Sequence, residues 1–313
     1  MRLLTTIQPP ALRSRRADAA ALLALALIWG ASFALIKIAV AEIPPVTVAA
    51  GRIALGALLL LAAQALTGPP LGDLLRPPRL ARWWPLLALG MLGNGIPFVL
   101  IGYGETRIDS GLAAILIGTM PIFTLLLAHV FGVERGWRPR VWGAVALGFA
   151  GLTALLGPAA LADAARGDGL DALAQLAIVA AGACYAATAV YGRVLSLALP
   201  LLLVASGSMT ASALVMVPAA LIIDRPWQLA PSSEALLAVI ALGVLPTALA
   251  TLIYFHLLRS AGPTFVSLVN YLIPALGFAL GVIWLGEPAS WREIAALALI
   301  LGTIALVRAK QDK

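Results

Sequence analysis

Apolar residues dominate this chain in ten runs, covering approximately 19–41, 45–66, 83–104, 110–133, 141–156, 172–196, 200–223, 235–258, 263–285 and 291–307. A hydrocarbon core of about 30 Å takes about 20 apolar residues of helix to cross, so each run is a predicted transmembrane helix. Helix breakers punctuate them at Pro44-Pro45, Gly68-Pro69-Pro70, Gly157-Pro158, Pro226 and Gly262-Pro263, where a locked φ and a missing N–H start or end helices. The connections are short and leave no room for a soluble domain. The pattern predicts an all-α membrane protein of ten transmembrane helices.

Composition agrees with the pattern. Of 313 residues, 62% are hydrophobic and 11% charged, against about 25% charged in soluble domains, too few to coat a globule of this size. The single cysteine, Cys184, excludes an internal disulfide and a multi-thiolate metal cluster, and His129 and His256 are the only imidazoles. No metal site and no cofactor are expected. Arg13, Arg15 and Arg16 ahead of the first run resemble a signal peptide, but the run is too long and lacks a clean small-residue cleavage motif, so it reads as a retained first helix.

A net charge of +7 invites a nucleic-acid reading until the charges are located. With the N-terminus inside, the inner segments carry fifteen basic residues and the outer segments four, Arg107, Arg166, Arg225 and Arg292. This is the positive-inside bias, and it predicts cytoplasmic termini on both ends. The excess charge is then a topology signal. The expected partners are the lipid bilayer and a small-molecule substrate, not nucleic acid, with a monomer as the expected unit.

The two halves match at a shift of about 153 residues. Ala88-Leu89-Gly90-Met91 matches Ala241-Leu242-Gly243-Val244, Pro121 matches Pro274 and Glu134 matches Glu287; after one inserted residue, Trp137 matches Trp291 and Gly148 matches Gly302. A five-helix unit is odd in number, so two copies insert in opposite orientations, the arrangement of transporters that alternate access around a central site. The expected organisation is a cytoplasmic segment 1–18, a first repeat 19–157, an external linker 158–171, an inverted second repeat 172–308 and a cytoplasmic tail 309–313, with a cavity between the repeats.

The run Ile28-Trp29-Gly30-Ala31-Ser32-Phe33-Ala34-Leu35-Ile36-Lys37, then Arg52-Ile53-Ala54-Leu55-Gly56 in the second span, and the Pro-then-Glu pattern Pro121…Glu134 and Pro274…Glu287 resemble the drug/metabolite transporter superfamily in its EamA-type ten-helix branch. Within that branch the chain is similar to YddG-like amino-acid exporters. The resemblance covers about residues 20–307 and implies a bacterial inner-membrane exporter whose spans one, three, four, six, eight and nine line the cavity. It departs from the family pattern at Cys184-Tyr185, where a Trp is usual.

Ionisable residues inside a bilayer are costly and usually functional. No carboxylate stands near the middle of any run, which disfavours antiport of cationic drugs, and Lys37 and Arg52 both lie toward one mouth, which disfavours a phosphorylated substrate. Lys37, Arg52, Tyr103 and His256 are gate or vestibule candidates, with Arg52 able to reach the interface or to pair with Glu42 or Glu105. An intramembrane enzyme is disfavoured because neither a serine nucleophile with a base, nor paired mid-span aspartates, nor an HExxH motif occurs; no catalytic residue is expected.

Pro97, Pro121, Pro246 and Pro274 are hinge candidates near mid-span. A proline displaces the carbonyl four residues earlier, so Pro121 frees that of Ile117 and Pro274 that of Asn270, acceptors suited to an ammonium. Ser32, Asn94, Thr119 and Asn270 add polar groups for a zwitterion, and Trp29, Tyr185 and Tyr271 add rings for an aromatic side chain. The expected function is export of small neutral or zwitterionic metabolites, aromatic amino acids first; a broad drug or metabolite exporter and a passive facilitator of the same fold remain open.

Overall fold

The computed structural model describes residues 12–68, 83–132, 169–195 and 200–308, with isolated positions between them. Its helices are α1 (Leu12–Val40), α2 (Pro45–Thr67), α3 (Trp83–Glu105), α4 (Ser110–Val130), α5 (Leu170–Leu195), α6 (Leu201–Ile223), α7 (Ser233–Ser260), α8 (Val269–Leu285) and α9 (Trp291–Arg308). Seven of them are long and apolar enough to cross a membrane, and α8 is a shorter apolar helix. No strand occurs among the described residues. The expected fifth span, 141–156, falls almost entirely outside them, as do Glu134 and Trp137 of the repeat pattern, so α5 corresponds to the sixth expected span.

The helix ends follow local chemistry. Pro45 opens α2 at a position where no N–H is needed, Ser232 caps α7 by accepting from the Ala235 N–H at 3.2 Å, and α8 stops where Gly286 turns left-handed at φ +69°.

Three helices depart from regular α geometry. A π segment, Met91–Gly95, interrupts α3 just before Pro97, and a second, Gly243–Leu249, interrupts α7 around Pro246. Such widened turns occur mostly as single insertions and often at functional sites. The helix α4 is divided at Gly118-Thr119, immediately before Pro121. Here the expected symmetry of hinges needs a correction: Pro274 sits within the uninterrupted α8, and the discontinuity comes earlier, at residues 267–268, after the short turn Pro263–Val266. The reason is that tightened bonds from the Asn270 N–H to Ser267 O (3.3 Å) and from the Tyr271 N–H to Leu268 O (3.1 Å) absorb the bend one turn ahead of the proline.

The helix α1 runs through the centre, packing on α8, α7 and α4, while α2 packs on α6 and α3 on α5. Two close crossings depend on glycine. A Cβ on Gly30 would stand 3.1 Å from the Gly277 backbone nitrogen, which joins α1 to α8, and one on Gly243 would stand 2.8 Å from the Leu55 side chain, which joins α7 to α2. In lipid, helix association gains from such close packing rather than from release of water. One core gathers Phe33, Ile36, Leu116, Ile178 and Leu242, another Ile53, Leu60, Phe98 and Met209, and Tyr185 packs against both.

Candidate functional site

The π segment of α7 is held from two sides. Pro246 has no N–H for the Leu242 carbonyl, and the buried Thr247 hydroxyl donates to it instead at 2.7 Å. The same Oγ1 accepts from Arg52 Nε of α2 at 3.1 Å. From α1, Trp29 Nε1 donates to the Pro246 carbonyl at 3.0 Å, and the indole lies 5.8 Å from the Tyr254 ring at a tilt of 46°. Ser32 turns back on its own helix, its hydroxyl donating to the Trp29 carbonyl at 2.6 Å.

Arg52 is 4% exposed. Its guanidinium carbon lies 3.6 Å from the centroid of Phe98, a cation–π contact worth about 2 kcal/mol or more when desolvated. Tyr185 and Glu105 lie within its electrostatic reach. Its bond to Thr247 is made through Nε, the donor farthest from the forked end of the guanidinium. Glu42, one partner expected for Arg52, instead accepts from the Ser232 N–H at 2.6 Å and the Ser232 hydroxyl at 2.7 Å.

A second locus forms where α4 is divided. Pro121, Asn270 and Pro274 come together with Ile117, Gly118, Met120 and Ile273 around a crevice of about 20 Å³, room for about one water molecule. Both carbonyls expected to be freed by proline, those of Ile117 and Asn270, belong to its lining residues. Thr119 is buried and its hydroxyl donates to the Leu116 carbonyl at 2.7 Å. The helix α5 approaches this break at Gly182, where a Cβ would stand 3.6 Å from Thr119 Oγ1. Asn94 is half-buried within the π segment of α3.

Other candidates lie apart. Tyr271 packs against Ile115, Ala296 and Ile300, on the α4–α9 side. Tyr103 and His256 are exposed. The Lys37 ammonium is half-buried and donates to the carbonyls of Glu105 (2.9 Å) and Ile108 (2.8 Å), closing the C-terminal end of α3, where a cation is favoured by the helix dipole. Phe98 and Thr247 were not singled out by the sequence, although each directly follows a hinge proline, a signal that would have found both.

Carboxylates bind the opposite helix ends. Glu287 accepts from the Ser110 N–H (2.7 Å) and the Gly111 N–H (2.8 Å) at the start of α4, and Asp224 accepts from the Thr47 N–H (2.9 Å) and hydroxyl (2.8 Å) at the start of α2. Each meets unpaired N–H groups and the positive end of a dipole. The hydrogen bonds from the Ser232 N–H and hydroxyl lower the pKa of Glu42. Partial burial, reinforced by the charge of Glu287, raises that of Asp109 in the α3–α4 loop.

The model of the EamA-like transporter family matches residues 17–157 and again residues 172–309. The inner membrane transporter YedA of Escherichia coli is 30% identical over 92% of this chain and 89% of its own length. A probable terminal-alkyne amino-acid exporter of Streptantibioticus cattleyicolor is 27% identical over 85% of each chain, and the protein PagO of Salmonella typhimurium is 27% identical over 82% of this chain and 81% of its own. One solved crystal structure shares the fold with a TM-score of 0.64 at 22% identity, covering 93% of this chain and 96% of that one.

Proposed function

We propose, since the chain belongs to the EamA-like transporter family, that it exports small neutral or zwitterionic metabolites, aromatic amino acids first, by alternating access across the inner membrane. The chain is a multi-pass membrane transporter and not an enzyme.

The observation that carries the substrate class is Arg52. A buried guanidinium is costly unless its donors are used; this one is fastened at Nε and against Phe98, an orientation in which its Nη groups would grip a carboxylate in the forked geometry suited to it. The carbonyls of Ile117 and Asn270 and the Asn270 amide are groups suited to an ammonium, and Trp29 and Tyr185 to an aromatic side chain. The amino-acid exporter of Streptantibioticus cattleyicolor, similar over 85% of this chain, supports the same class. A crevice of about 20 Å³ is far smaller than such a solute, so α4 and α8 must part at Pro121 and Pro274 for it to enter.

Two five-helix repeats of opposite orientation are the proposed basis of alternation. The π segments support this reading: Met91–Gly95 and Gly243–Leu249 lie about one repeat apart, so both halves carry the same deformable turn. The positive-inside bias orients both termini to the cytoplasm and the α3–α4 corner to the outer side.

The test is counterflow in proteoliposomes with labelled phenylalanine and tryptophan against a competing panel of amino acids, neutral metabolites and cationic drugs. Saturable uptake, competed by amino acids and weakened by Arg52→Lys and by Asn270→Ala, is expected. Uptake without saturation, or competed only by the drugs, overturns the substrate class.

A further inference from the structure

Glu105 closes α3 with no exposed surface, and among the described residues neither carboxyl oxygen has a hydrogen-bond partner. The transport reading gives this group no task. An ionised carboxylate stripped of both water and donors is the least favourable state such a site can hold, whereas a protonated acid carries no charge to leave uncompensated.

Its surroundings contain a ready counter-charge that is occupied elsewhere. Lys37 of α1 donates to the Glu105 and Ile108 backbone carbonyls, and so bridges the α3–α4 corner, while Glu287, in the loop after α8, holds the first N–H groups of α4 on the far side of that corner. The charged groups whose fields reach Glu105 are Lys37, Arg52 of α2 and Glu287. Asp109, in its own loop, feels Lys37 and Glu287, and the groups of α5 that meet the neighbouring Gly104 are the Ile178 side chain and the Ala174 backbone. Beside an ionised Glu105, the ammonium would have a charged acceptor in place of two neutral ones, and charge-assisted bonds are the stronger kind.

We propose that Glu105 is a proton-binding site: it holds a proton while the α3–α4 corner is closed, and on losing it draws the Lys37 ammonium away from the two carbonyls and frees the corner. The atoms balance without a co-reactant, since the carboxyl O–H breaks to give a proton to water and a carboxylate that pairs with an ammonium already present. This inference rests on the transport reading only for the purpose of the proton, which is exchange against the exported solute.

The test needs no substrate. Parent, Glu105→Gln and Glu105→Asp proteins in liposomes are titrated while infrared spectra record the protonated-carboxyl C=O absorption, and backbone hydrogen exchange is followed over residues 104–111. The parent is expected to show in acid, and to lose on alkalinisation, an absorption that Glu105→Asp also shows and loses and that Glu105→Gln lacks. Exchange in the parent relative to Glu105→Gln at the same pH should rise from about equal in acid to about tenfold in alkali. An absorption unchanged in Glu105→Gln, none in the parent at any pH, or an exchange ratio flat across the titration overturns the proposal. Failure of the amino-acid panel overturns the substrate class and leaves these readouts as they are.

Discussion

Arg52 and Thr247, 195 residues apart in the chain, meet through a 3.1 Å hydrogen bond, and Thr247 passes the connection on to the Leu242 carbonyl at 2.7 Å. One hydroxyl thus satisfies the acceptor that Pro246 leaves open and fixes the orientation of a buried cation. Thr247→Val keeps the shape and strands both partners. It should destabilise the protein by about 1–3 kcal/mol in detergent thermal unfolding, with Thr247→Ser retaining most of the parent stability.

The guanidinium is flat, forked and stacked on Phe98, properties an ammonium lacks. Arg52→Lys should therefore lower the apparent affinity for a carboxylate-bearing solute by about tenfold or more. Phe98→Leu keeps an apolar side chain but removes the ring under the guanidinium and should cost about 2 kcal/mol or more. Counterflow kinetics of the two variants side by side will separate charge from geometry.

Trp29 reaches the π segment of α7 through a single N–H. Trp29→Phe preserves a ring against Tyr254 but leaves the Pro246 carbonyl without its donor, a loss of about 1 kcal/mol. Thermal unfolding should register it, and Trp29→Ala should cost more because the packing in that cluster goes as well.

Glu287 joins the loop after α8 to the first turn of α4. Removing the carboxylate in Glu287→Ala should cost about 0.5–2 kcal/mol, the range of a helix N-cap, while Glu287→Gln keeps one acceptor oxygen and loses less. Thermal unfolding of both variants measures the split.

The pKa of Glu42 is lowered by its hydrogen bonds with Ser232. A carboxyl whose pKa is lower in the folded state contributes stability above its unfolded pKa and loses it as pH falls through the folded value. The gap in Tm between the parent and Glu42→Gln should be constant near neutrality and close on acidification below the ordinary carboxylate range. A gap that widens in acid would reverse the sign.

The helical spans were legible because a bilayer demands long apolar runs and prolines mark their ends; α2, α3, α6 and α7 begin and end within a few residues of the expected limits. The meeting of Pro121, Asn270 and Pro274 was foreshadowed by the repeat offset, and the crevice they line lies where corresponding helices cross. Tyr271 was less legible: neighbouring residues on a helix point about 100° apart, and apolar residues surround both faces, so nothing in the run reveals that Tyr271 turns to Ile300 while Asn270 faces the crevice.

The sequence by itself determined the membrane as solvent, the helical class, the duplicated pattern and the scarcity of charge in mid-span, all properties of composition and order. Only the tertiary structure decided which scarce polar groups meet. Arg52 was placed near one mouth by counting residues along α2, yet it is buried because the π segment of α7 brings Thr247 and the α3 register brings Phe98 to its side. Lys37 was placed toward the same mouth, yet it bridges two backbone carbonyls, and Glu105, weighed only as a partner for Arg52, has its carboxyl group sealed without a hydrogen-bond partner among the described residues. The physical reason is that burial and pairing depend on distances between helices far apart in the chain, and a hydropathy pattern records no such distance.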